Sequence, residues 1–236
     1  RSFQTFVREV DNLIVFDNES WRHTGESLGQ GYAGINEELV RRLAVLFGAG
    51  EVDDGGAVGE SVVDASEIIN TLGSGGVSTI GYAADHVERE KGGLFSRFSK
   101  KELDETDTTN RITSLVRKAA LGRLTLPCEL AGAERGLLVT AGPPEYLNRK
   151  GIERGRRWLE EQTGSMEIRG GDYPLPDEHS VACVVLLSGV TDVPRIKGLQ
   201  QVAIEAMDNL EEIRSESDAN LEALLDDGDE ELTPLF

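Results

Sequence analysis

The chain has 236 residues, 39% of them hydrophobic, enough for a sizeable core in one large or two small domains. Its 43 acids outnumber its 24 bases, and a net charge of −19 argues against a nucleic-acid binder, which would carry a basic patch. No apolar run approaches the roughly 20 residues of a membrane span, the first residues lack a secretory leader pattern, and Cys128 and Cys183 read as two core thiols in a reduced cytoplasm.

Among the bases, Arg outnumbers Lys 18 to 6. An acid-rich, Lys-poor surface suits concentrated salt, where repulsion between carboxylates is screened. A halophilic source is therefore expected.

In chain order, DNLIVFDN (11–18) predicts a short buried strand ending at two turn formers. It shows no obvious strand partner and reads as the last strand of a preceding domain. A loop with Gly25, Gly29, Gly31 and Gly34 follows. INEELVRRLAVLFGAG (35–50) carries apolar residues at 35, 39, 43, 46 and 47, the spacing of an amphipathic helix stopped by glycine. After an acidic, Gly-rich loop, Asp64 opens a second helix whose Ile68, Ile69 and Leu72 are expected to face inward. GVSTIGYA (76–83) predicts a strand, and 85–109 an exposed loop with a basic-aromatic cluster at Lys91, Phe95, Arg97, Phe98, Lys100 and Lys101.

A helix is predicted at 110–124 with Ile112, Leu115, Val116 and Ala119 on one side. RGLLVTAGPPEYL (135–147) predicts a buried strand running into a Pro-Pro turn, and 153–163 a helix. Residues 165–173 and 179–189 read as two strands joined by a Pro-containing turn, and 194–213 as an amphipathic helix. The last segment, SESDANLEALLDDGDEELTPLF, has eight acids and no base and reads as a disordered tail with an apolar end. Strands and helices alternate from 60 to 213, which predicts an α/β or α+β fold with a small sheet covered by helices.

Chemical motifs are sparse. There is no GxxxxGK[ST] phosphate loop, no GxGxxG after a strand and no GxSxG elbow. His23, His86 and His179 share no spacing with Cys or acids, so no metal site is expected. Asp64 and Glu67, in D-A-S-E, fit a capping box: the Asp carboxylate accepts from the third helical N–H and the Glu reaches back. The alternative to this cap is that the two carboxylates orient and polarise a water. Asn18, Tyr32 and Asn36 read as a turn residue, a packing ring and a cap, or as a ring face and amides able to meet one planar base.

The stretches VFDNESW (15–21), GYAGINEELVRRLAVLFGAGE (31–51), GESVVDASEIINTL (59–72) and GVSTIGYA (76–83) resemble the second half of the tubulin/FtsZ superfamily, specifically the archaeal tubulin-like CetZ family. The resemblance runs over residues 1–213. It implies the end of a Rossmann-like GTP-binding domain (1–34), a central helix (35–50), a C-terminal activation domain with a small mixed sheet flanked by helices (51–213) and an acidic tail (214–236).

By the same resemblance, Asn18 and Asn36 match guanine-reading amides, and Tyr32 the aromatic that stacks on guanine. Asp64 and Glu67 match the loop that enters the nucleotide site of the next subunit and positions the water attacking the γ-phosphate. Glu67 is the tubulin-type acid, whereas Val62 stands where FtsZ and tubulin carry Asn. The phosphate-binding half is expected before Arg1. The implied protein is a cytoplasmic cytoskeletal GTPase in cell-shape control, binding GTP or GDP with Mg²⁺ on the phosphates. Its implied partner is itself, head to tail, and its tail would dock to a regulatory or membrane-associated protein. The competing expectation is a non-catalytic module that caps filaments of a full-length homologue.

Overall fold

Five strands form one mixed sheet in the order β1-β2-β5-β3-β4, with β1 at Leu13–Ile14, β2 at Val77–His86, β3 at Arg135–Gly142, β4 at Ile168–Pro174 and β5 at Ser180–Ser188. The computed structural model describes residues 2–22, 28–51, 63–87 and 104–226. The basic-aromatic cluster at 91–101, His23, Val62 and the apolar end of the tail lie outside them.

The strand expected to have no partner has one: β1 runs parallel to β2, with Leu13 opposite Val77 and Ile14 opposite Ser78. Asn12 fixes this junction. Its amide donates to the carbonyls of Leu72 and Gly75 at 2.8 and 3.1 Å, and the Ser78 hydroxyl donates back to its carbonyl oxygen at 2.7 Å. The two strands read as joined by a Pro-containing turn are not neighbours. β3 lies between them, parallel to β4 and antiparallel to β5. Burial explains the order, since β5 is buried along nearly its whole length and takes a central place.

Helices cover both faces. Successive strand residues point to opposite sides, so Leu137 and Val139 face one layer while Leu138 faces the other. The first layer holds α3 (Leu28–Ala49) and α4 (Ala65–Leu72), whose Leu46 and Ile68 join Leu137, Val139, Val184 and Leu186 in a common core. The second holds α5 (Glu105–Leu121) and α6 (Arg149–Thr163). A Cβ at Gly155 on α6 would come within 2.8 Å of Val116 and 3.3 Å of Leu138, so glycine sets how closely α6 approaches α5 and the sheet. Ile112, Leu115, Val116 and Ala119 are all buried, as their spacing predicts.

Several boundaries differ from expectation. The central helix begins at Leu28 rather than 35: Tyr32 precedes Ile35 and Leu39 at helical spacing, and Tyr32, Ala33 and Gly34 on this added stretch are exposed. Two short helices, α1 (Ser2–Glu9) and α2 (Asn18–Trp21), flank β1. On α4, Ile68 is buried but Ile69 is 68% exposed, and Phe47 on α3 is also exposed. The loop read at 85–109 is shorter at its end, because Asp104 caps α5, accepting from the Thr106 amide at 2.9 Å.

The chain divides into two compact units, 1–193 and 194–236. In the second, α7 runs from Pro194 to Asp226, so the stretch 214–226 is helical where a disordered tail was expected. Leu199, Leu210 and Leu221 recur every eleven residues, as do Val202 and Ile213, a period that drifts about 20° per repeat and winds slowly around a 3.6-residue helix. Its eight acids all lie between Glu205 and Asp226, and their repulsion does not end the helix at 213.

Candidate functional site

α4 is pinned at both ends. At its start the Val63 amide donates to the Asp172 carbonyl at 3.4 Å, and Val63 and Ile68 are buried. At its end the Arg135 guanidinium donates to the Asn70 carbonyl at 2.7 Å, and Asn12 holds the Leu72 carbonyl. The N-terminal acids therefore stand on a rigid mount.

Asp64 is the N-cap, in an extended conformation with φ −115° and ψ 169°. Its carboxylate accepts from the Glu67 amide at 2.9 Å and from the Ser66 hydroxyl at 2.5 Å. This is the predicted first half of the capping box. The second half is not formed: among the described residues, Glu67 returns no hydrogen bond to the Asp64 amide. The Glu67 carboxylate is instead partly buried beside the Asp64 charge.

The two acids are driven apart in acidity. The Ser66 hydroxyl and the Glu67 amide, with a smaller pull from Arg169, hold Asp64 below the ordinary aspartate value. Partial burial, reinforced by the charge of Asp64, raises Glu67 above the ordinary glutamate value, and Arg169 opposes that rise. Paired carboxylates separated in this way divide their roles: one remains charged and the other becomes the better proton acceptor. Arg169 stands opposite Leu137 in the β3–β4 register and so shares the α4 face of the sheet. Sequence reasoning missed it, because nothing local links an exposed strand arginine to a helix a hundred residues earlier.

Tyr32 and Asn36 are one turn apart on α3 and share a face, with Tyr32 49% exposed and Asn36 exposed. The expectation that Tyr32 lies in a loop and Asn36 starts the helix is corrected, since both are within α3. Asn18 opens α2, is exposed, and follows the N-cap Asp17. Among the described residues no hydrogen bond joins Asn18 to Tyr32 or Asn36. An exposed ring with an amide one turn away offers a planar base a stacking face and an edge to read. An open cleft of about 310 Å³ at the end of α6, lined by Arg157, Glu160, Glu161, Gly164, Ser165 and Met166, includes none of these residues.

A cluster of arginines and rings is built around the buried Arg42 of α3, with Arg123 exposed at its edge. Arg42, only 2% exposed, lies over Trp21 at 4.5 Å and Tyr82 at 5.5 Å, and Arg123 lies over Trp21 at 5.0 Å. It was invisible in the sequence, where Arg-Arg in a helix reads as a solvated face.

A family model described as tubulin-like CetZ, C-terminal domain, matches residues 25–205. The chain is 72% identical over 222 residues to tubulin-like protein CetZ1 of Haloferax volcanii, a match covering 91% of this chain and 56% of that protein. Two solved structures from the same organism resemble it. CetZ1 as a GDP-bound monomer has a TM-score of 0.73 at 66% identity, covering 88% of this chain and 54% of that one. CetZ2 as a GTPγS-bound protofilament has a TM-score of 0.73 at 39% identity, covering 89% and 56%. The chain thus spans little more than half the length of these relatives. The family match over residues 25–205 and the identity to CetZ1 agree, and the chain belongs to the tubulin-like CetZ family.

Proposed function

We propose that the chain forms the C-terminal part of a tubulin-like GTPase that polymerises head to tail and hydrolyses GTP where two subunits meet. In this reading residues 1–34 complete the GTP-binding domain and α3 is the central helix. Residues 51–213 form the activation domain, and 214–236 a tail that docks to a regulatory or membrane-associated protein. Asn18 and Asn36 read the guanine edge and Tyr32 stacks on its face. Asp64 and Glu67 project from the start of α4 into the site of the next subunit and polarise the water that attacks the γ-phosphate. Mg²⁺ bound with the nucleotide would neutralise phosphate charge, while the two carboxylates act on water. The biological role is cell-shape control in the cytoplasm of a halophilic archaeon.

The observation that carries this reading is the Asp64–Glu67 pair. It is rigidly mounted, its acidities are split, and Ile69 is exposed two residues beyond as an apolar contact for a docking surface. Support also comes from the relatives, described as a GDP-bound monomer and a GTPγS-bound protofilament. Splitting the site between subunits couples hydrolysis to assembly, because water is activated only once the neighbour is in place. The test is phosphate release from GTP by the full-length protein across a concentration series, with sedimentation of polymer. Glu67→Gln is expected to polymerise and bind GTP yet lose the rise in turnover on assembly. Undiminished turnover in sedimented polymer would overturn the assignment.

A further inference from the structure

We infer that Arg42 is a positioning residue for guanine recognition, locking the helix that carries Asn18 to the helix that carries Tyr32 and Asn36. The inference rests on the reading of those three residues as the guanine site, and it adds a residue that touches no base.

α2 is held at its base and through Trp21, whose ring also meets Phe16 at 5.2 Å and Arg123 at 5.0 Å. This four-residue helix is tied back through the Asp17 amide, which donates to the Thr125 carbonyl at 2.7 Å, and through the Trp21 indole N–H, which donates to the Leu124 carbonyl at 3.2 Å. The face of Trp21 is then covered by the Arg42 guanidinium at 4.5 Å. Arg42 belongs to α3, six residues beyond Asn36, so the stack joins the two helices directly.

Arg42 is fixed in turn. Its Nη1 donates to the Glu38 carboxylate at 2.7 Å and to the Glu38 carbonyl at 2.8 Å, while Nη2 donates to the Arg123 carbonyl at 3.3 Å. Tyr82 of β2 lies 5.5 Å from it. One side chain therefore fastens α2, α3, β2 and the segment after α5 to each other.

A purely structural role would be served by a hydrophobic side chain at this position, since a buried charge carries a desolvation penalty. What the guanidinium adds is a planar group that stacks and donates in fixed directions at once, which Lys cannot reproduce. Two amides on separate helices can read one base edge only if their separation is held to within about half an ångström. Arg42 supplies that constraint.

The test uses the full-length protein and fluorescent GDP and ADP analogues. The variants are Arg42→Met, which keeps stem volume, Arg42→Lys, which keeps charge, and Asn18→Ala. Glu38 is partly exposed and remains solvated when its partner is removed, which favours folding of the Met variant. Arg42→Met and Arg42→Lys are each expected to weaken GDP binding about tenfold, the worth of one guanine hydrogen bond held at the wrong distance, and to lower the GDP-over-ADP preference. Combined with Asn18→Ala, either variant should add little further loss, because both act through the same amide.

Leu159→Ala, a core truncation on α6, serves as the control: it should lower Tm but leave the GDP-over-ADP ratio unchanged. If Arg42→Met does not fold, Arg42→Lys, which keeps the charge but loses the planar stack on Trp21, carries the expectation alone. If Asn18→Ala leaves GDP binding unaltered, the guanine reading itself fails. If Asn18→Ala weakens binding while the Arg42 variants keep the wild-type ratio, or add independently to Asn18→Ala, only the positioning role is overturned.

Discussion

The Glu67 amide donates to the Asp64 carboxylate at 2.9 Å, so one acid of the candidate pair is spent on the helix while the other stays available. Capping and chemistry can be separated at Asp64. Asn caps a helix as well as Asp but carries no charge. Asp64→Asn should keep Tm within about 2 °C, whereas Asp64→Ala should lower it by about 2–4 °C. Both are expected to lose assembly-stimulated GTP turnover in the full-length protein. If Asp64→Asn hydrolyses GTP normally, Asp64 is a cap only.

Glu67 should show the reverse balance of stability and activity. Its acidity is weakened in the fold, chiefly by partial burial and then by the Asp64 charge. A raised carboxylate contributes its stabilisation below the unfolded value and loses it as pH rises through the folded one. At neutral pH the group is ionised at a cost, so Glu67→Gln is expected to melt at or slightly above wild type while losing turnover. Thermal unfolding at neutral pH checks this; a clear drop in Tm would show that the carboxylate stabilises the helix.

Arg169 opposes the rise of Glu67, which makes it visible in a pH profile. Turnover requires ionised Glu67, so its acidic limb should fall as pH drops through the raised glutamate value. Arg169→Met removes the neighbouring cation and should shift that limb to higher pH while leaving GDP affinity of unassembled subunits unchanged. A profile that keeps its midpoint would disconnect Arg169 from the pair.

Two glycines should respond in opposite directions. A Cβ at Gly81 would meet the Ala119 carbonyl oxygen of α5 at 2.1 Å, and a backbone group there cannot move aside. Gly81→Ala is expected to cost about 3 kcal/mol, the upper end of overpacking. Gly34 lies within α3 with nothing within 4 Å of its added Cβ. Gly34→Ala should stabilise by about 0.5–1 kcal/mol, the gain from a less flexible unfolded chain. Denaturant titration of both variants reads the contrast.

The charge of −19 predicts that salt stabilises the fold. Screening shortens from about 10 Å at 0.1 M to about 3 Å at 1 M, which suppresses repulsion among surface carboxylates. Tm should climb steadily from 0.1 to about 2 M KCl. A flat or falling curve would mean that the acids are matched by the fold itself.

Local pattern carried far in this chain. The helix over Ile112, Leu115, Val116 and Ala119 follows from its spacing, and the strand from Arg135 to Gly142 from its apolar run. The cap at Asp64 follows from D-A-S-E, because a carboxylate three residues before an amide bonds it through geometry local to the turn. Family membership was also legible, because the stretches from 13 to 83 carry the resemblance.

Long-range packing decided the rest. β1 found β2 across more than sixty residues, and β3 inserted between β4 and β5, choices set by burial of whole faces that no window of sequence contains. Arg42 is buried against Trp21 and Tyr82, which lie 21 and 40 residues away in the chain. Arg169 joined the Asp64–Glu67 face only through strand register. The sequence by itself determined the local elements, the helix cap and the family. The environment of each charged group was decided by tertiary structure, because burial and charge proximity are properties of residues far apart in the chain.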